Sequence, residues 1–213
     1  MNNDTLIASL CADLTPVKRA DVERQIAVAG LIGGGVSLAV LLSTLGLQPG
    51  LSTLGHMAPL AIKAAFAASL AAVGFTALLK LARPDGLPAN MLQKTAAIFL
   101  LLASIALVQS GHVNNAGDAT LLLGASWQSC SMRIAALSVP MIAAIGWVVR
   151  RQAPVHLRHA GAAVGLTAGA TAAAIYALAC TESAPAFVLI WYSAGIALST
   201  AAGALLGPRL LRW

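Results

Sequence analysis

Residues 150–180 read RRQAPVHLRHAGAAVGLTAGATAAAIYALAC. Two arginines open the stretch, a third stands at Arg158, and no charge occurs from Ala160 to Ala179. About 20 apolar residues are what a helix needs to cross a bilayer, and a basic flank at one end sets its direction. Small residues dominate the run. Gly161, Gly165 and Gly169 recur every four residues, on one helix face, where they let a neighbouring backbone approach closely. The stretch predicts a transmembrane helix packed inside a compact bundle.

Five further runs of the same kind lie on either side: Ile26 to Leu47, Met57 to Ala82, Met91 to Ser110, Ser131 to Val149 and Ala186 to Leu206. Turn-forming or charged segments separate them, such as Gln48-Pro49-Gly50, Arg83-Pro84-Asp85-Gly86 and the polar GHVNNAGDAT after Ser110. The segment LLLGASWQS, just before the fourth run, is too short to span and reads as interfacial, with Trp127 at headgroup depth. The first and last runs repeat the small-residue spacing, with Gly30 and Gly34 in one and Gly195, Ser199, Gly203 and Gly207 in the other. The expected fold is all-α: a polytopic membrane protein with six spans and a short amphipathic N-terminal helix.

Composition agrees. Of the 213 residues 59% are hydrophobic and 9% charged, against about 45–50% and about 25% in soluble domains. Mean hydropathy is +0.83. So few charges cannot cover the surface of a soluble fold, and so much apolar surface excludes a disordered chain. The net charge of +6 does not form a patch for nucleic acid. Eleven of the 13 basic residues, from Lys18, Arg19 and Arg24 to Arg209 and Arg212, fall at alternate ends of the runs; only Lys63 and Arg133 lie toward the others. By the positive-inside rule both termini are cytoplasmic. The N-terminus carries acids and no basic stretch before its first apolar run, so that run is expected to insert as an uncleaved anchor.

The expected organisation is a cytoplasmic tail over residues 1–24, a membrane domain over 25–208 and a cytoplasmic end over 209–213. In the tail, Leu6, Leu10, Leu14 and Val17 fall at i, i+4, i+8 and i+11 with Ile7 beside them, Asp4 or Thr5 is a plausible N-cap, and Pro16 marks the end. Such a stripe either lies on a membrane or fills a partner's groove. Asp4 and Asp13 flank it, and acids are repelled by anionic lipid, which favours a protein partner.

Cys130 precedes the fourth run and Cys180 closes the fifth, so antiparallel spans bring both to the outer face, while Cys11 stays inside. The pair fits a structural disulfide, a thiol-reactive sensor or part of a soft-metal site. Arg133, one turn from Cys130, would favour a thiolate. Lys63 has no acid in any span to pair with, and its stem is long enough to snorkel to the outer surface. His56, His112, His156 and His159 lack metal-site spacing, and no nucleophile elbow, HExxH or phosphate loop occurs. The chain reads as a non-enzyme without a cofactor, with transient soft-metal binding at the cysteines as the one metal chemistry available. A small transporter or channel is the alternative class, against which stands the lack of paired intramembrane charges.

Several elements together resemble a known family: the LIASLCADLTPV tail, SWQSC before the fourth run, the stretch from Arg150 to Cys180, the WYSAGIAL run and the terminal GPRLLRW. They are similar to the NrsF (negative regulator of sigma F) family of inner-membrane anti-sigma factors. The resemblance covers almost the whole chain. It implies a protein that holds an extracytoplasmic-function sigma factor at the bacterial inner membrane and frees it under heavy-metal or oxidative stress. It implies signal perception by two outward-facing cysteines, which correspond here to Cys130 and Cys180. Cys11 departs from that pattern.

Overall fold

Each apolar run folds into a helix, because a backbone stripped of water must satisfy its polar groups within its own segment. The computed structural model describes residues 3–12, 19–48, 54–82, 90–110, 127–182 and 184–212. Along these the helices are α1 (Asn3–Ala12), α2 (Arg19–Thr44), α3 (Leu54–Leu81), α4 (Met91–Ser110), α5 (Trp127–Arg150), α6 (Leu157–Tyr176) and α7 (Pro185–Leu210). No strand occurs among the described residues. The last helix is not uniform. After Pro185–Phe187 it widens into a π-helical turn over Val188–Tyr192, then returns to α-helix over Ser193–Leu210.

Four stretches are long and apolar enough to cross a membrane: Asp21–Thr44, Ala58–Leu81, Ser129–Arg150 and Pro185–Leu210. That is consistent with a membrane protein, but it is two fewer than the six spans the sequence led us to expect. In α4 the apolar stretch reaches only Gln93–Ser104 among described side chains. In α6 the reason is composition, since glycine, alanine and threonine carry little apolar area. This helix is instead the centre of the bundle. It packs most extensively against α7 and also meets α3, α5 and α2, and it is buried along almost its whole length from Ala160 to Tyr176. A helix enclosed by its neighbours does not have to be strongly lipophilic itself.

The four-residue glycine repeat explains the closeness of α6 and α7. A Cβ on Gly161 would strike the Gly203 carbonyl oxygen, and one on Gly165 would strike that of Ser199. The reverse holds at Gly203, whose added Cβ would strike the carbonyl of Gly161. The two backbones touch, so dispersion acts over a long seam. On α2 the expected pair does not serve this purpose: Gly34 faces open space and Gly30 meets only Ile145 at 3.9 Å. Gly33 is the contact residue, with its virtual Cβ 2.8 Å from Met141 Cα. The register of α2 on α5 turns that face, and not the 30/34 face, toward the bundle.

Hydroxyls reinforce the seams where no water competes. Ser37 donates to the Leu137 carbonyl (2.7 Å), joining α2 to α5, and Ser138 meets Ser199 Oγ (2.9 Å), joining α5 to α7. Ser131 donates to the Trp191 carbonyl (2.8 Å) and so anchors the π turn. Trp127 lies in the first turn of α5, so the interfacial segment expected around it is partly helix; its residues 121–126 fall outside the described part.

Candidate functional site

The most concentrated chemistry lies at the end of the bundle where α5 and α7 begin and α6 ends. Cys130, in the first turn of α5, and Cys180, just past α6, belong to one hydrophobic core together with Phe66, Tyr176, Phe187 and Tyr192. Cys130 is 0% exposed and Cys180 3%. Both are free thiols, as is the exposed Cys11 at the far end of the chain. Sequence reasoning placed the two buried cysteines on one face, and the fold brings them into mutual electrostatic reach.

Two partners of the pair were not anticipated. The chain has only two tyrosines, and both are here. Tyr176 sits one turn before Cys180, its ring 5.9 Å from that of Tyr192 on the π turn. The Tyr176 hydroxyl lies against the Cys130 thiol. The Tyr192 hydroxyl is buried beside Cys180. The coincidence of both tyrosines with the cysteine-bearing segments was the available signal, visible as Tyr176-x-x-x-Cys180 and the WYS run.

Lys63 departs from expectation. It does not snorkel. It is 3% exposed, and its ammonium donates to the Cys180 carbonyl oxygen at 2.9 Å. Arg133 departs as well: it is exposed and engages the Tyr176 hydroxyl more closely than the cysteine. Beside this turn the Gln48 amide donates to the Leu178 carbonyl (3.0 Å). The Leu178–Cys180 segment is therefore held by the backbone just after α2 and by a side chain of α3.

No cluster of three His, Cys, Asp or Glu side chains that could hold a metal ion occurs among the described residues. Two soft sulfur donors in one aromatic-lined core suit a thiophilic ion bridged by two thiolates, or oxidation of the pair. Either reaction needs the helix ends to part first, because neither thiol has meaningful surface of its own.

The other candidate region is the N-terminal segment. Residues Asn3–Ala12 are helical, and α1 packs extensively on no other described element. Leu6 is 42% and Ile7 58% exposed. Leu14 and Val17 lie outside the described residues, as does the side chain of Leu10.

Comparison with known proteins bears on both regions. A family model described as "Negative regulator of sigma F" matches residues 10–213. The "Probable anti-sigma-F factor NrsF" of Azospira oryzae is 35% identical over 221 residues, covering the whole of both chains. The "Anti-sigma-F factor NrsF" of Caulobacter vibrioides is 34% identical over 216 residues, again covering both completely. No solved structure matches. The match runs through both the cysteine-bearing segments and nearly all of the helical body. The chain belongs to the NrsF family of negative regulators of sigma F, whose role is regulatory and not enzymatic.

Proposed function

We propose that the protein sits in the bacterial inner membrane as a six-span bundle, captures an extracytoplasmic-function sigma factor with its N-terminal segment, and releases it when Cys130 and Cys180 are modified from the outside. The observation that carries this reading is the division of the molecule. A bundle with one buried thiol pair at one end is joined, through α2, to a short helix whose described apolar residues Leu6 and Ile7 are largely exposed.

The spanning role of α4 and α6 is supported by the alternation of basic residues along the chain. The ends bearing Arg24, Lys80, Arg150, Arg158 and Arg209 share one side only if all six runs cross. The cysteine end is then periplasmic, where thiols meet oxidants and soft metals before cytosolic reductants intervene. The tail is inside with the sigma factor. Conformation must therefore carry the signal across the bilayer, which requires two packed states that differ in affinity for both ligands.

Modification has an obvious mechanical consequence. Joining two thiols that lie within one core, or inserting a thiophilic ion between them, changes how α5 and α6 meet beside Tyr176 and Tyr192. Cys130→Ser and Cys180→Ser, each alone, are expected to abolish induction of a sigma-dependent reporter by thiol-reactive stress while repression in unstressed cells persists. Cys11→Ser should respond like the parent. Full induction in both periplasmic variants would remove the cysteines from the mechanism.

A further inference from the structure

We infer that Lys63 is the positioning residue that makes the cysteine pair responsive: it occupies a docked site on the Cys180 carbonyl at rest and moves outward to water when that carbonyl is displaced. The inference rests on the thiol-sensing reading above and adds to it the element that changes state.

The docked site is visible. Lys63 Nζ reaches the Cys180 carbonyl at 2.9 Å, and the residue is 3% exposed. An ammonium has three donors, and this carbonyl is the one acceptor it meets among the described residues. A charge held by one hydrogen bond to a carbonyl in a largely apolar core is costly. The second site follows from position and chain length. Lys63 lies within α3 on the side of the bundle that carries the α6–α7 turn, and its stem can carry the charge to an aqueous surface. Glu182, half-buried two residues past Cys180, is within electrostatic reach of the ammonium.

The two sites are of opposite character. Docking gains one charge-assisted hydrogen bond and gives up hydration, whereas the outward position recovers hydration. What holds Lys63 in is the placement of the Leu178–Cys180 turn. That turn is pinned by the backbone N–H of Gln48, four residues past the end of α2, and shares a core with Tyr192. Modifying Cys180 moves its own backbone carbonyl, and the bond to Lys63 is the contact most directly affected. Once the ammonium has left for water, its stem vacates the space beside the Leu178–Cys180 turn, and the packing of α3 and of the segment after α2 against that turn changes. The other end of α2 leads into the N-terminal segment. A path of bonded groups thus runs from the thiol to the helix that bears the tail, and Lys63 supplies its driving force.

Two measurements on the full-length protein in cells test this. Lys63→Met keeps the length and apolar stem and removes the charge, so nothing is gained by leaving the core. It is expected to accumulate and repress normally but to lower the maximal induction by about tenfold, within the usual span of allosteric coupling. Lys63→Arg, still able to reach water, should retain induction. In the unmodified protein, an amine-reactive ester that cannot cross the membrane should label Lys63 weakly at rest and strongly after thiol modification. A purely structural lysine would not change its labelling. Cysteine variants that fail to respond, combined with a Lys63→Met protein that induces like the parent or with labelling that is equal in both states, would overturn the role of Lys63 while leaving thiol sensing intact. Cysteine variants that still respond would instead remove the thiol-sensing reading itself.

Discussion

Deleting residues 1–18 is expected to leave the helical body in the membrane and to render the sigma factor active without any inducer. The body retains its own determinants of insertion and orientation, since Arg19 and Arg24 still precede the first apolar run. What is lost is a helix that contributes nothing extensive to the bundle. Point changes sharpen the expectation. Leu6 and Ile7 are largely exposed, so truncating them to alanine costs the fold little. If each enters an apolar groove on the sigma factor, truncation forfeits about 1–2.5 kcal/mol at the interface, roughly half of what a core site loses. That corresponds to about five- to seventyfold in affinity. Reporter activity and membrane abundance, measured together, separate derepression from loss of the protein. Continued repression by the truncated protein would move the contact to another cytoplasmic surface, of which the loop from Arg150 to Arg158 is the most basic.

An equally large effect is expected from a side chain in the α6–α7 seam. Gly203→Leu and Gly161→Leu would each drive carbon into the carbonyl oxygen of the facing glycine, and backbone cannot swing aside as a side-chain tip can. Overpacking of an ordinary core costs about 1–3 kcal/mol, and forcing two helices apart also forfeits the contacts along the seam. The variants should accumulate poorly and melt well below the parent in detergent. Gly34→Ala provides the matched control. Nothing lies within 4 Å of its added Cβ, and alanine favours the helix by roughly 0.5–1 kcal/mol over glycine. It should be neutral or slightly stabilising. A Gly203→Leu protein as stable as the parent would contradict the packing described here.

How much of this was readable beforehand depended on whether one segment or several carried the information. Apolar run length and the alternation of basic residues are local, so helix positions and the shared face of Cys130 and Cys180 could be read directly. The repeat at Gly161, Gly165 and Gly169 announced a close seam because its periodicity is that of a helix face. The repeat at Gly30 and Gly34 has the same form and makes no close seam: which face of α2 turns inward depends on Met141 of another helix. Lys63 was misjudged for a related reason. Alone on α3 it has a short route to water, and only the carbonyl of Cys180, 117 residues further on, gives it a place to stay inside. The π turn at Val188–Tyr192 leaves no local mark; it lies where Tyr192 and the Trp191 carbonyl meet Tyr176 and Ser131 of other helices. The small residues of α6 suit the middle of the bundle, where the helix is buried along almost its whole length.

The central claim, a sigma factor held by the N-terminal segment and released through the thiol pair, is tested most directly by purifying the tagged full-length protein from membranes and measuring its binding to the purified cognate sigma factor before and after thiol oxidation. The account predicts tight binding in the reduced state, a fall of about tenfold or more on oxidation, and no such fall in Cys130→Ser or Cys180→Ser. Binding that is unchanged by oxidation, or that survives removal of residues 1–18, would contradict it.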